Sequence, residues 1–127
     1  MAAEYLSTWN PIAKVAAHNA LVTALGATAS VSFHSSDDTE LARVPLDSPA
    51  GAVNGTTGEL LIEPTQRDES TAADGSVNYA SLRNSSNVVL QSLPCQEGTV
   101  AVSGSCVVNT LTVVAGGTFE LVSWSIL

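Results

Sequence analysis

The second half of the chain alternates between apolar and polar residues in a series of short segments. Val77 and Tyr79 are separated by one polar residue, and so are Phe119 and Leu121. Ser, Thr, Asn and Gly fill the intervals between these segments. A period of two is typical of strands that bury one face. Residues 76–127 are therefore predicted to form strands and turns that build a surface, because no strand carries a cluster of reactive side chains.

A different pattern precedes the strands and predicts one helix over residues 10–26. Asn10 suits the N-cap, Pro11 suits the first helical position, and Gly26 suits the end of the helix. Four apolar residues of this Ala-rich run lie close to one face: Ile12, Val15, Val22 and Leu25. Three polar residues are expected to face outward: Lys14, His18 and Thr23. Residues 1–9 form an arm.

Strands are predicted for the remainder, residues 27–127. Residues 41–46 form a strand that Pro45 confines to a sheet edge or ends. Residues 77–83 and 88–93 form a hairpin around residues 84–87, and residues 98–102 and 106–114 form a second around residues 103–105. Residues 59–63 and 118–127 are further strands. Roughly eight strands predict a mainly β fold, an antiparallel β-sandwich or jelly-roll-like domain with one N-terminal α-helix. Residues 1–127 are taken as a single domain.

Charge narrows the classes of partner. Charged residues make up only 13% of the chain, and the formal net charge is -8 with four Lys and Arg residues. Nucleic-acid binding needs clustered cations, so it is not expected, and an anionic membrane surface is disfavoured for the same reason. No segment has the roughly 20 apolar residues that span a bilayer. A surface poor in charge suits close packing against other proteins, because little charge must be desolvated.

The sequence contains no recognisable motif for a catalytic, cofactor or metal site. His18 and His34 are the only histidines and lack metal-ligand spacing. The acidic residues Asp37, Asp38 and Glu40 lack the glycine of a Ca²⁺ loop and are interpreted as a solvated turn. A second acidic group receives the same interpretation: Asp68, Glu69 and Asp74. No Gly-x-Ser-x-Gly elbow or phosphate-binding loop is present.

Three further residues have two interpretations each, and Trp124 has one. Cys95 and Cys106 either form a disulfide across the second hairpin region or remain free, half-buried thiols. Trp124 alternates with polar residues and shares a strand face with Val122 and Ile126, so it is expected in the core. Trp9 either caps the base of the helix or fills a pocket on a neighbouring subunit.

The order of these segments resembles that of small β-rich virion proteins of tailed bacteriophages and prophages. The helical start contains "NALVTALGA", and "ELARVPLDSPAGAV" follows it. "ADGSVNYASLRNSSNVVLQ" and "NTLTVVAGGTFELVSWSI" complete the pattern. The matching stretches are residues 41–46, 72–89 and 109–126. The resemblance covers most of the chain from the helix onward, but residues 1–9 and 95–106 do not follow it.

The resemblance implies a non-enzymatic structural protein of a phage particle. The first choice is a capsid decoration (cement) protein that stabilises contacts between major capsid subunits, made in the host cytoplasm and located in the virion. Its partners would be the major capsid protein and copies of itself, without nucleic acid, membrane or cofactor. Four residues are the suspected assembly contacts: Tyr5, Leu6, Trp9 and Ile12.

Three alternatives remain open at this point. One is a tail, collar or fibre component. A second, of another class, is a carbohydrate-binding adhesin module that exposes Trp9 or Tyr79 for stacking on sugars. The third is a small hydrolase that uses a pair of carboxylates.

Overall fold

The fold consists of an N-terminal helix followed by a series of strands that extend along the rest of the described chain. The structure, a computed structural model, describes residues 10–48, 50–64, 67–69, 71–102 and 104–126. It is mainly β, with 41% strand and 13% helix. The predicted sandwich-like β fold with one N-terminal helix is confirmed, and its sheet is mixed and curls into a half-barrel.

The helix, α1, spans Pro11–Leu25 and begins and ends where the sequence predicts. The Asn10 side chain caps it by accepting a hydrogen bond from the backbone N–H of Ile12 at 2.8 Å. Pro11 occupies the first helical position, where no intrahelical N–H bond is lost. Gly26 follows the last turn with a φ of 76°, a conformation that glycine adopts without strain.

Ten strands follow the helix within the described residues. They are β1 (Ser30–His34), β2 (Glu40–Pro45), β3 (Ala52–Val53), β4 (Leu60–Ile62), β5 (Gly75–Ser76), β6 (Tyr79–Arg83), β7 (Val89–Glu97), β8 (Ser105–Val108), β9 (Thr112–Val113) and β10 (Leu121–Ile126). Eight of them form one sheet in the order β2-β1-β6-β7-β8-β10-β4-β3, and β5 pairs with β9 in a small second sheet. The predicted edge position of the strand that carries Pro45 is confirmed, since β2 lies at one end of the large sheet.

The first predicted hairpin is confirmed as the antiparallel pair β6–β7. Its turn depends on two asparagines. The Asn84 side chain accepts hydrogen bonds from the backbone N–H groups of Ser86 and Val88. Asn87 adopts a left-handed conformation with a φ of 64°, which Asn tolerates better than most residues.

The second predicted hairpin is wrong. Residues 98–102 form no strand, and β8 instead pairs in parallel with the end of β7 and antiparallel with β10. Parallel neighbours usually need a connection of a dozen residues or more. The shorter link at residues 98–104 suffices here because only three residue pairs of β7 and β8 are in register.

The core lies in the concavity of the curled sheet. Phe33 and Phe119 meet in a T-shaped contact with ring centroids 4.6 Å apart. Trp124 is fully buried, which confirms its predicted place in the core, and its indole N–H donates to Gln91 Oε1 at 2.9 Å. Leu25 joins this core from the last turn of α1.

The predicted orientation of the helix is wrong at three positions and is confirmed at the others, since Thr23 is exposed, Leu25 is buried, and Val15 and Val22 are half-buried. Lys14 and His18, expected at the surface, are buried, while Ile12 is 81% exposed. Four of the five alanines of α1 are exposed, whereas Val15 and Val22 are half-buried and Leu25 is buried, so apolar residues occupy both faces of the helix and do not define a single stripe. Tertiary contacts therefore decide the inward face: His18 finds a carbonyl partner there, and the aliphatic stem of Lys14 packs beside Gly58.

Candidate functional site

The outer face of α1 is an exposed, uncharged surface within the part of the chain that the structure describes. Its exposed positions are Ile12, Ala13, Ala16, Asn19, Ala20, Thr23 and Ala24. Within Pro11–Leu25 none of these exposed side chains is charged. A partner that covers this face would therefore displace water from small apolar and neutral polar groups, and it would not have to desolvate an ion.

Three contacts hold the helix in this orientation. The Nδ1–H of His18 donates to the carbonyl oxygen of Gly58 at 2.5 Å. At the other end, the Ser85 backbone N–H and hydroxyl both donate to the carbonyl oxygen of Leu25, at 3.0 and 3.1 Å. Gly58 has a φ of 80° and lies so close to α1 that a Cβ at this position would come within 2.4 Å of the Lys14 Cβ. The helix is thus fixed from both ends and cannot rotate its outer face inward.

Of the four suspected assembly contacts, the structure places one. Ile12 stands on the outer face of α1 and is largely exposed. Tyr5, Leu6 and Trp9 lie outside the described residues. Pattern reasoning missed Ala13, Ala16 and Ala20, because alanine carries no signal that separates an outer face from an inner one.

A polar network covers the outer side of β1 and β6. His34 Nδ1–H donates to the Asp38 carbonyl at 3.3 Å, and its Nε2 lies 2.8 Å from the Ser32 hydroxyl. Ser32 also accepts from Arg83 Nε at 2.8 Å. The Tyr79 ring stacks on His34, with centroids 5.0 Å apart, and its hydroxyl donates to Asp38 Oδ1. This bond raises the pKa of the Tyr79 hydroxyl.

Ser32 and His34 lie within hydrogen-bond distance, as a nucleophile and its general base would, but the Ser32 hydroxyl is not accessible to a substrate. The Ser32 side chain is completely buried, so a substrate carbonyl has no approach to its oxygen. Both of its hydrogen bonds are made inside the network. The arrangement satisfies polar groups on a strand whose two faces are both covered, and it gives no support for a hydrolase.

The first acidic group, at residues 37–40, also has local partners. The prediction of a turn at Asp37 is confirmed: its carboxylate accepts from Ser35 and Thr39, and these bonds lower its pKa. Glu40 bonds Arg43 through two nitrogens, which lowers the pKa of the carboxyl. Among the residues the structure describes, no group of three or more His, Cys, Asp or Glu side chains could hold a metal ion.

A polar cleft of about 750 Å³ opens beside β2. Arg67 lines it and is bound to Glu120 at 3.0 Å and to Glu69 at 3.2 Å. Arg43, also in its wall, is bound to Glu40 at 2.6 Å. Both guanidinium groups bind carboxylates of the chain, so the cleft carries no unpaired cluster of positive charge among the described residues, and the two glutamates beside Arg67 are not a free catalytic pair.

The aromatic side chains bear on the adhesin alternative. Phe33, Phe119 and Trp124 are fully buried. Tyr79 is half-buried, and His34 covers one face of its ring. Among the described residues, Phe33, Phe119 and Trp124 therefore offer no ring face to a sugar, and the Tyr79 ring has one of its two faces covered.

The cysteines lie opposite each other on β7 and β8. Cys95 is in register with Cys106, in the parallel pair and not across a hairpin. Cys95 is half-buried, Cys106 is fully buried, and both thiols are free. The predicted disulfide stays a prediction.

Comparison with known proteins adds no relative. No family model matches the chain, and neither a curated protein nor a solved structure matches it. Among the described residues, no helix has both the length and the apolar character to cross a membrane.

Proposed function

We propose that this chain is a non-enzymatic structural component of a tailed-phage virion, and specifically a capsid decoration protein. The observation that carries the proposal is the uncharged outer face of α1, with Ile12 at its start. The sequence resemblance to small β-rich virion proteins supplies the setting. The chemistry at Ser32, Arg67 and Glu120 supports a structural role, because every one of these groups is bound within the chain.

The size of the helix limits how much of the contact it can supply. A helix of 15 residues is about 22 Å long and about 10 Å wide, so one face offers roughly 220 Å². A stable interface buries about 800 Å² on each partner. Most of the contact must therefore come from other surfaces. Residues 1–9 directly precede the helix and are proposed to contribute through Tyr5, Leu6 and Trp9.

A tail, collar or fibre component is the alternative of the same class. It would use the same face of α1 but in a different number of copies. The adhesin alternative depends on Trp9 or on the uncovered face of Tyr79, because the other described aromatic rings are buried.

The location is tested on purified particles of a phage that encodes the chain. We expect quantitative mass spectrometry to give a copy number close to that of the major capsid protein, and cryo-electron microscopy to place the domain on the shell. Six or twelve copies at one vertex would overturn decoration in favour of the collar or tail. Absence from particles would overturn the virion role itself.

The contact surface is tested by rebinding to particles that lack the protein. Ile12→Asp and Ala16→Glu place charge on the outer face of α1 at positions that are already exposed, so both variants should fold normally. We expect each to lose at least tenfold in affinity for the shell. Val114→Asp is the matched control, since Val114 is 65% exposed and lies on a turn outside the helix. Wild-type binding by both helix variants would contradict the assignment of this face.

A further inference from the structure

The pairing of β7 with β8 brings two thiols together. Cys95 and Cys106 are in-register partners, and in-register residues of neighbouring strands project from the same face of a sheet. Neighbouring strands lie about 4.7–4.9 Å apart. This spacing falls within the Cα separation of about 4.4–6.8 Å that disulfides require.

We propose that Cys95 and Cys106 form a redox-responsive pair that a small-molecule disulfide, such as oxidised glutathione, converts into an intramolecular cross-strand disulfide. The proposal rests on the register of the two strands and on the different exposure of the two thiols. It does not depend on the proposed virion function.

The unequal burial of the thiols sets the order of the reaction. Cys95 is the accessible one, so its thiolate attacks a sulfur of oxidised glutathione and releases one glutathione thiolate. Burial, together with the neighbouring Cys95, raises the pKa of the Cys106 thiol, which makes it a poor first nucleophile. Cys106 loses its proton in the second step and attacks the Cys95 sulfur of the mixed disulfide, which releases the second glutathione. Two protein thiols are oxidised and one glutathione disulfide is reduced to two thiols.

The position of the pair gives the bond a structural role. In the large sheet, β7 joins the half made of β2, β1 and β6 to the half made of β8, β10, β4 and β3. That join has three residue pairs in register, one of which is Cys95 with Cys106. A disulfide would link the two halves covalently across a strand pairing that is only three residue pairs long. The bond would be absent in a reducing cytoplasm and would form in an oxidising environment.

The test uses the wild-type protein, purified reduced and equilibrated without oxygen in mixtures of reduced and oxidised glutathione. After acid quenching and alkylation, mass spectrometry should show a monomer lighter by two hydrogen atoms, with neither cysteine alkylated. The equilibrium constant for oxidation should be roughly 100-fold larger for the folded protein than for the chain in denaturant, since folding already closes the loop. The oxidised protein should have a Tm higher by roughly 10 °C.

Cys95→Ala provides the control, because it removes the more exposed thiol and spares the buried one. Its Tm should not respond to oxidised glutathione. Three results would overturn the proposal. The first is that both thiols stay free in a glutathione mixture oxidising enough to convert thioredoxin to its disulfide, and the second is a product that stops at the Cys95–glutathione adduct. The third is an equilibrium constant for oxidation that is equal in the folded and the unfolded chain. The mass measurement on the wild-type protein decides the matter even if a variant does not fold.

Discussion

Replacement of Gly58 by alanine would disturb the contact between the loop at Gly58 and α1. Gly58 accepts the hydrogen bond from His18 and lies against the first turns of α1. An added Cβ would come within 2.4 Å of the Lys14 Cβ and within 3.1 Å of the Pro11 carbonyl oxygen. Neither atom is the end of a flexible side chain, so the helix and the loop must move apart to accept the methyl group.

Two costs add at this position. The backbone at Gly58 has a φ of 80°, and a side chain there costs about 1–2 kcal/mol. Overpacking a closed contact costs about 1–3 kcal/mol more. We therefore expect Gly58→Ala to lower the free energy of unfolding by about 2–5 kcal/mol, which is a large part of the 5–15 kcal/mol typical of a domain.

Substitutions at two other glycines distinguish the backbone contribution from the overpacking contribution. Gly116 has a φ of 79° and open space around its Cβ position, so Gly116→Ala should show only the backbone cost of about 1–2 kcal/mol. Gly55 has open space and no positive φ, so Gly55→Ala should be neutral or should stabilise by about 0.4–1 kcal/mol. Urea unfolding followed by the fluorescence of the buried Trp124 measures all three variants.

The comparison with Gly116 decides the outcome. If Gly58→Ala lowers the free energy of unfolding no more than Gly116→Ala does, the helix does not lie against Gly58. The assignment of the outer face of α1 would then be wrong as well. If Gly55→Ala is as harmful as Gly58→Ala, the loop itself, and not its contact with α1, is sensitive.

Three further predictions concern the sheet and can be checked by urea unfolding. Ser123→Ala should be neutral or stabilising, because the Ser123 hydroxyl is buried without a hydrogen-bond partner; a loss above about 1 kcal/mol would reveal a partner. Gln91→Ala should cost about 1–3 kcal/mol, since it leaves the indole N–H of Trp124 buried and unpaired, whereas a loss under about 0.5 kcal/mol would show that the N–H finds another acceptor. The bond with Arg43 lowers the pKa of Glu40, so this stabilisation is present above the usual pKa of 4.5 and is lost as the pH falls through the lower value of the folded state. Glu40→Gln should flatten the dependence of stability on pH below 4.5 by at most about 1 kcal/mol, given the exposure of the pair, and an unchanged slope would contradict the assignment.

The features that the sequence predicted well are those fixed by near neighbours in the chain. Asn10, Pro11 and Gly26 act within one turn of the helix end, so its bounds follow from local chemistry. The turn at Asn84 and Asn87 is equally local, and it fixes the β6–β7 pair. Burial of Trp124 follows from the alternation within its strand.

The features that were missed depend on distant contacts. The strand at Cys106 pairs in parallel with β7 and antiparallel with β10, and its own residue pattern does not indicate which strands lie beside it. His18 faces inward, where a carbonyl oxygen forty positions away accepts a hydrogen bond from its ring. No local pattern encodes either partner, so neither the join of the sheet nor the outer face of α1 could be predicted from the sequence.

The position of β10 in the sheet also constrains the order in which the chain can fold. β4 receives its main partner only when β10 is present, and Leu61 pairs with Ser125, sixty-four positions downstream. Long-range pairings of this kind form slowly because a large loop must close first. During synthesis the apolar strand Leu60–Ile62 therefore has only the two-residue strand β3 beside it. An unpaired apolar strand edge is a template for aggregation, so this segment is where a nascent or truncated chain would need protection.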